Sequence, residues 1–228
     1  MPMNPVKGNM YDFVTHTWNA IKGKCPHGCS YCYMRQERLK SIRLDEKEFK
    51  TDLGSGNFIF VGSSCDMWAW TVPEEWITRT LKPCREHYLN EYLFQSKNPQ
   101  RFRWFYHSIP TTAILGTTIE SNREYPDIYK DAPPIVERYG AMFQVGPKDD
   151  GCEVMITIEP ILDFDLKEFV EMIRDIEPKW VNIGANTYFK IKLPEPPAEK
   201  IRALIEELKG FTEVKLKKNL KRLLGRKS

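Results

Sequence analysis

The sequence has no apolar run long enough to form a membrane-spanning helix. Its most apolar stretch, residues 57–71, is interrupted by Gly62 and Asp66 and is far shorter than the ~20 apolar residues required. The first twenty residues have no apolar segment of the secretory type and contain the charged Lys7 and Asp12. We therefore expect a cytoplasmic protein that does not bind a membrane.

Internal repeats and low-complexity segments are also absent from the sequence. The 228 residues are 41% hydrophobic and 12% aromatic, which is too apolar for a chain whose main state is disorder. A chain of this length buries roughly 70% of its unfolded surface on folding. The composition therefore predicts one large or two small globular domains.

Acidic residues are scarce near the C-terminus. Residues 211–228 contain seven Lys or Arg and only one acid, Glu213, so their net charge is +6, whereas the other 210 residues sum to −3. A basic tail on a mildly acidic body is typical of a nucleic-acid contact. The alternative is a solvated surface that aids solubility.

Short apolar runs alternate with amphipathic segments along the chain, as in βαβ units with a parallel sheet. Six units are too few for a closed eight-stranded barrel. The sequence therefore predicts an α/β fold, a partial (βα)6 TIM-like barrel with parallel strands. We expect residues 1–193 to form this core and residues 194–228 to add a C-terminal helix and the basic tail. The predicted strands span residues 12–18, 57–61, 91–95, 113–118, 153–158 and 180–183.

Two helix ends are predicted from single residues. A helix that begins after Pro73 is expected to run to about Leu81, where Pro83 should kink or end it, because proline lacks the amide hydrogen that the helix needs. Asp165 is expected to cap a second helix that runs to about residue 176.

Polar residues follow the predicted strands. Because parallel βα folds form their sites at the carboxyl ends of the strands, these residues are candidates for one site. The candidates are Ser63, Ser64, Cys65, Asp66, Lys97, Glu120, Asn122, Glu159, Asn182 and Asn186.

Three of the six cysteines, Cys25, Cys29 and Cys32, form a C-x3-C-x2-C motif directly after the first predicted strand. In a reducing compartment, clustered cysteines indicate metal or redox chemistry rather than disulfides. Three thiolates can bind three irons of a [4Fe-4S] cubane and leave the fourth iron open to another ligand. Gly28 lets the backbone turn closely around such a cluster.

Two other functions use the same cysteines. In the first, a structural zinc site that includes His27 stabilises a nucleic-acid-binding module. Zinc sites of this kind favour two C-x2-C pairs, and the sequence has no second pair. An iron–sulfur electron carrier needs a fourth cysteine, for which Cys65 is the candidate at the same end of the sheet.

The cysteine motif, with Tyr31 before its last cysteine, resembles the signature of the radical S-adenosylmethionine (SAM) superfamily. A narrower resemblance spans residues 17–187 and rests on the segments 58–67, 94–101, 115–122, 158–162 and 180–184. Those segments are similar to a phage-associated family of radical SAM-like proteins, related in pattern to the spore photoproduct lyases. The resemblance implies a partial (βα)6 barrel whose cluster cleaves SAM to methionine and a 5′-deoxyadenosyl radical, which abstracts hydrogen from a substrate.

The resemblance also assigns roles to residues. It implies that Cys25, Cys29 and Cys32 hold the cluster and that most of the polar candidates bind parts of SAM. For each polar candidate the alternative is a turn, a helix cap or an ion pair. Tyr31, Asn182 and Asn186 would contact the adenine of SAM, and Ser63, Ser64 and Asp66 its amino group. Lys97 would pair with its carboxylate, and Glu120 and Asn122 would bind its ribose. Glu159 would bind a ligand at the mouth of the barrel.

Cys65 stands where the resembling family more often has serine. A thiol at the mouth of the barrel would return a hydrogen atom to a substrate radical; the alternative is a small buried apolar side chain. The resemblance implies SAM as a ligand and a reductase or flavodoxin-type protein as electron donor. For the substrate, a nucleotide or nucleic acid, a small metabolite and a peptide all stay open.

Overall fold

A mostly parallel, eight-stranded sheet organises the computed structural model, which describes residues 3–6, 10–146 and 152–225. In those ranges the strands are β1 (Asn4–Pro5), β2 (His16–Trp18), β3 (Ile21–Lys22), β4 (Arg43–Leu44), β5 (Phe58–Val61), β6 (Glu91–Gln95), β7 (Ala113–Thr118), β8 (Glu153–Ile158), β9 (Trp180–Ile183) and β10 (Glu213–Leu216). The α-helices are α1 (Glu74–Glu86), α2 (Gln100–Trp104), α3 (Pro126–Tyr129), α4 (Ile135–Val145), α5 (Leu166–Ile176), α6 (Ala198–Lys209) and α7 (Lys221–Leu224).

The order of strands across the sheet is β1-β2-β5-β6-β7-β8-β9-β10. Strand β1 runs antiparallel to β2 and every other pair is parallel, while β3 and β4 form a separate antiparallel hairpin. Strands β1 and β10 are the two open edges. The prediction of an α/β partial barrel with parallel strands is therefore confirmed.

Four of the six predicted strands have the ends that the structure shows, namely β6, β7, β8 and β9. Strand β10 was not predicted; it extends the sheet as a further parallel strand, with Val214 opposite Val181 and Lys215 opposite Asn182. The charged and half-exposed residues of β10 give no apolar run in the sequence. Residues 213–216 join the sheet nonetheless, because α6 returns the chain to its edge.

The prediction that α1 ends near Leu81 is wrong. The helix continues through Pro83 to Glu86, and the amide of His87 donates to the carbonyl of Pro83 at 3.0 Å. Cys84 is fully buried in this last turn. Burial of this face stabilises the turn despite the hydrogen bond that proline removes.

Residue Asp165 precedes α5 as predicted, but its carboxylate does not cap the helix. The carboxylate pairs instead with the guanidinium of Arg123. The amide oxygen of Asn122 accepts from the backbone N–H of Asp165 at 2.8 Å. The start of α5 is thus joined to the loop that follows β7.

The concave face of the sheet is filled by the segment before β2. Tyr11 and Val14 are buried there in one apolar cluster, and the ring of Tyr11 stacks on that of Phe13 with centroids 5.3 Å apart. Five neighbouring strands each contribute one buried side chain to this cluster: Phe60, Leu93, Ile114, Met155 and Trp180. The alternation of strand side chains puts these residues on one face, so residues 11–14 cover this face of the partial barrel below the carboxyl ends of the strands.

Across the described ranges, we find no helix that is both long and apolar enough to cross a membrane.

Candidate cluster and ligand site

A cavity of about 570 Å³ opens at the carboxyl ends of the parallel strands. Its volume lies in the range of small-molecule and cofactor sites. Tyr11 forms part of its floor and donates its hydroxyl to Gln95 at 2.8 Å. The cavity is lined by these residues that the sequence analysis selected: Cys25, Cys29, Tyr31, Cys32, Ser63, Ser64, Cys65, Asp66, Lys97, Glu159 and Asn186.

The cysteine motif lies on a loop whose base is closed by the β3–β4 hairpin. The amide of Lys24 donates to the carbonyl of Lys40 at 2.9 Å across this base. Gly23 has φ +122°, and a Cβ there would lie 2.5 Å from the carbonyl oxygen of Ser41. Only glycine fits this backbone, because both the dihedral angle and the space exclude a side chain. The hairpin therefore fixes where the motif begins.

The far side of the cysteine loop packs on residues 128–131. The amide of Ser30 donates to the carbonyl of Ile128 at 2.9 Å, and the amide of Asp131 donates to the carbonyl of His27 at 3.0 Å. The thiol of Cys29 lies 3.6 Å from the carbonyl of Tyr129. Gly28 has φ +59°, the left-handed conformation in which glycine carries no strain.

Four thiols line the cavity. The neighbouring thiol of Cys65 lowers the pKa of Cys25 to about 6, whereas Cys25 and burial raise the pKa of Cys65. Burial raises the pKa of Cys29 to about 11 and also raises that of Cys32. Cys84 and Cys152 do not line the cavity.

Asp66 connects three loops at the cavity wall. Its Oδ2 accepts from His27 Nε2 at 2.7 Å, from Ser96 Oγ at 2.9 Å and from the backbone N–H of Lys97 at 2.9 Å, while its Oδ1 accepts from the backbone N–H of Trp68 at 2.9 Å. Burial opposes the charge of Asp66, but His27 and these donors outweigh it and hold the pKa of Asp66 below its ordinary value. Burial likewise opposes charge on His27, yet Asp66 raises its pKa.

The turn after β5 is held by a residue that the sequence analysis did not select. Asn19 Oδ1 accepts from the backbone N–H of Ser64 at 3.1 Å and from Ser63 Oγ at 3.3 Å. Gly62, with φ +79°, begins this turn. Asn19 therefore sets the path of both serines along the cavity wall.

Glu120 does not line the cavity; it is fully buried behind it. Its carboxylate accepts from the hydroxyl of Tyr31 and from Arg138 at 2.8 Å, and Lys97 Nζ lies 3.6 Å away. Burial would raise the pKa of Glu120, but Arg138 and Lys97 outweigh it and lower this pKa. Glu120 thus positions two residues of the cavity wall, Tyr31 and Lys97.

Glu159 lies at the opposite wall, where the C-terminal segment completes the cavity. Lys217 Nζ is 3.0 Å from its Oε2, and Asn219 Nδ2 donates to its Oε1 at 2.7 Å. A Cβ on Gly184 would lie 2.6 Å from Oε1. Glycine at 184 therefore makes room for this carboxylate.

The three asparagine candidates occupy different places. Asn122 holds the start of α5, and Asn182 is buried in β9, where its amide lies 3.4 Å from the sulfur of Met155; neither lines the cavity. Asn186 lines the cavity and also holds a turn, since its Oδ1 accepts from the backbone N–H of Tyr188 at 2.9 Å.

Several residues of the site carry no signal in the sequence. Each is a single polar residue outside any motif, and only the fold brings it to the cavity or behind it. Lys217 is a partial exception, because it belongs to the basic tail. The residues are Asn19, Arg138, Lys217 and Asn219, together with the aspartate contact of His27.

The residues present fit an iron–sulfur cluster by the chemistry of their donors. Three cysteines from one loop line the cavity. Within the described ranges, no three His, Cys, Asp or Glu side chains converge on a point where one metal ion could bind. The cysteines of a cubane bind different irons and need no such convergence.

No protein-family model and no curated protein matches the sequence. The fold, in contrast, is similar to solved structures of spore photoproduct lyase. A tyrosine-to-phenylalanine variant of that enzyme has a TM-score of 0.66 and 11% identity, and a cysteine-to-alanine variant with dinucleoside spore photoproduct has 0.65 and 11%; each match covers 92% of this chain and 78% of the other.

A double variant with bound AdoMet and dinucleoside spore photoproduct has a TM-score of 0.56 and 10% identity, over 90% of this chain and 64% of the other. The chain therefore shares its fold with spore photoproduct lyase.

Proposed function

We propose that this chain is a radical SAM enzyme. The observation that carries the proposal is that Cys25, Cys29 and Cys32 line the same cavity as the polar residues at the strand ends. A SAM-bound structure of a protein with this fold supports it. A [4Fe-4S] cluster held by the three cysteines would supply one electron that cleaves SAM into methionine and a 5′-deoxyadenosyl radical, which abstracts hydrogen from the substrate.

The residues around the cysteines would bind and orient SAM. Ser63 and Ser64 present hydroxyls that accept from its amino group. Lys97, which is held beside Tyr31 with its Nζ 5.3 Å from the ring centroid, presents a cation to its carboxylate. Tyr31 offers an aromatic surface to the adenine. Asp66 is occupied by four protein donors, so its role is to position the loops rather than to bind SAM.

Cys65 is the candidate hydrogen donor to the substrate. The neighbouring Cys25 and burial raise the pKa of its thiol, which favours the protonated form. A protonated thiol at the cavity wall can give a hydrogen atom to a carbon radical, which leaves a thiyl radical on Cys65 and a closed-shell product. The substrate class stays open between a nucleotide or nucleic acid, a small metabolite and a peptide.

The test is 5′-deoxyadenosine formation after anaerobic reconstitution with iron and sulfide. Wild type with SAM and dithionite should form the nucleoside, and Cys29→Ala should lose it together with most of its iron. Cys152→Ser is the matched control, because Cys152 does not line the cavity. Absence of SAM binding to a fully reconstituted wild type contradicts the proposal.

A second candidate function, an iron–sulfur electron carrier, is favoured by the position of Cys65, which lines the same cavity as the three motif cysteines. In that case Cys65 is a fourth cluster ligand and no iron is open to SAM. Iron content distinguishes the two functions. Cys65→Ala should lose iron as Cys29→Ala does if Cys65 is a ligand, and should keep its iron and its SAM cleavage if the chain is a radical SAM enzyme.

A further inference from the structure

A second, smaller cavity lies between the β3–β4 hairpin and the segment that follows the cysteine loop. Its volume is about 280 Å³, and four of its lining residues are cations: Lys22, Arg38, Lys40 and Arg43. We call it the basic cavity. It shares Met34 and Ser64 with the main cavity. Only one layer of side chains therefore separates the two cavities.

The positive charge of the basic cavity is only partly neutralised by the residues that the structure describes. Lys22 pairs with Asp45 at 2.9 Å and Glu48 at 2.6 Å. The exposed side chains of Arg38 and Lys40 make no ion pair or hydrogen bond with any of the described residues. Concave surfaces lined by one sign of charge concentrate the field and attract ligands of the opposite sign. The basic cavity is therefore complementary to an acidic partner.

The charge is also concentrated along the sequence. Residues 22–43 contain six basic residues and one acid, and residues 211–228 contain seven basic residues and one acid, which leaves 21 basic and 29 acidic residues elsewhere. The chain thus has two basic segments on an acidic body. The first of them contains the cysteine motif.

An apolar contact lies next to this charge. The short 3-10 helix Tyr33–Gln36 follows Cys32 directly, and the side chain of Tyr33 is 52% exposed. Met34, the next residue of this helix, lines both cavities, and exposed Tyr and Arg side chains are enriched in protein-docking surfaces. A partner bound here would come close to the cysteine that the proposed cluster uses.

We propose that the basic cavity and Tyr33 together dock an acidic electron-carrier protein. The inference rests on the proposed function, in which each cleavage of SAM consumes one electron from outside the chain. One electron leaves the docked protein and enters the cluster, and no covalent bond forms or breaks in that step. The charge of the surface directs the partner to the one loop where an electron is used.

The test compares two charge reversals of equal size. Arg38→Glu combined with Lys40→Glu alters the basic cavity, and Lys218→Glu combined with Lys221→Glu alters the C-terminal basic segment. All four side chains are exposed, so both double variants should fold. The probe is a bacterial flavodoxin, an acidic FMN protein. Its dissociation constant is measured by calorimetry on the cluster-free proteins, and its rate of cluster reduction is measured by stopped flow on the reconstituted proteins.

The basic-cavity variant should weaken flavodoxin binding and slow cluster reduction by about tenfold or more at low salt. The C-terminal variant should stay within about twofold of wild type, and added salt should reduce the difference. Equal losses in both variants, or no loss in either, overturn the proposal. A second result also overturns the proposal. If wild type binds inorganic phosphate, the basic-cavity variant loses that binding and flavodoxin binding is unchanged, the occupant of the basic cavity is a small anion.

The same variants separate this inference from the proposed function. With dithionite as reductant, the basic-cavity variant should form as much 5′-deoxyadenosine as wild type. If wild type forms no 5′-deoxyadenosine and binds no SAM, the radical SAM function is wrong. The docking surface is still supported in that case if the cluster-free protein binds flavodoxin and the basic-cavity variant does not.

Discussion

The imidazole Nε2 of His27 lies 2.7 Å from Oδ2 of Asp66, and both side chains are almost entirely buried. His27 lies inside the cysteine motif, whereas Asp66 follows β5, so the pair joins the cluster loop to the end of a sheet strand. The same Asp66 oxygen accepts from Ser96 and from the backbone of Lys97. The ion pair thus sets the relative positions of three loops that line the main cavity.

The first prediction concerns this ion pair. Asp66→Asn removes the carboxylate and leaves His27 buried without its counter-charge, so the cluster-free protein should lose about 3 kcal/mol of unfolding free energy in urea. Glu153→Gln is the matched control: its partner Lys179 lies 2.6 Å away, but both side chains are about half exposed. That change should cost less than about 1 kcal/mol. Equal losses in the two variants would contradict the prediction.

The second prediction concerns the carboxylate behind the main cavity. Glu120→Gln should destabilise the cluster-free protein by about 3–5 kcal/mol, because it leaves Arg138 buried without its counter-charge. It should also weaken SAM binding, since Tyr31 and Lys97 lose the group that holds them. Glu137→Gln on α4 is exposed and should stay within about 0.5 kcal/mol of wild type. If Glu120→Gln loses no more unfolding free energy than Glu137→Gln, Glu120 is not the counter-charge that stabilises Arg138.

The third prediction compares two glycines. Gly184→Ala puts a methyl group 2.6 Å from Oε1 of Glu159, so the carboxylate must move away from Lys217, and the overpacking should cost about 1–3 kcal/mol. Gly140→Ala on α4 meets nothing within 4 Å and should stabilise the helix by about 0.5–1 kcal/mol. Thermal unfolding of the two variants measures both changes in stability, which should have opposite signs. A stabilised Gly184→Ala variant would exclude the close packing of Gly184 against Glu159.

The fourth prediction is a pH dependence. Partial burial opposes the charge of Asp163, but its hydrogen bond to Lys200 at 2.7 Å and the nearby Arg123 outweigh this and lower its pKa. A carboxyl whose pKa is lower in the folded state stabilises the fold above its unfolded pKa, and this stabilisation disappears as the pH falls through its folded pKa. Asp163→Asn should therefore be less stable than wild type at pH 7 and nearly equal to it at pH 2, as measured by urea unfolding. If the difference in unfolding free energy between wild type and Asp163→Asn does not decrease as the pH falls, the charge of Asp163 is not its cause.

How much of the fold the sequence predicts depends on where each element lies. Strands β6 to β9 are buried on both faces, so their apolar runs are continuous and bounded by turn residues, and their ends are predicted correctly. Strand β10 is an edge strand with lysines, and its sequence alone does not distinguish it from a solvated tail. The same reason explains why Lys217 was not predicted in the cavity wall.

The sequence by itself determined the cysteine spacing, the βα alternation and the polar residues that follow each strand, because these are local patterns with a fixed period or order. Only the tertiary structure decided which polar residues face the cavity. Glu120 and Asn122 both follow β7, yet one is buried beside Arg138 and the other holds the start of α5. Their partners lie 18 and 43 residues away along the chain. Burial and hydrogen bonding of a side chain depend on such distant neighbours, which no local pattern records.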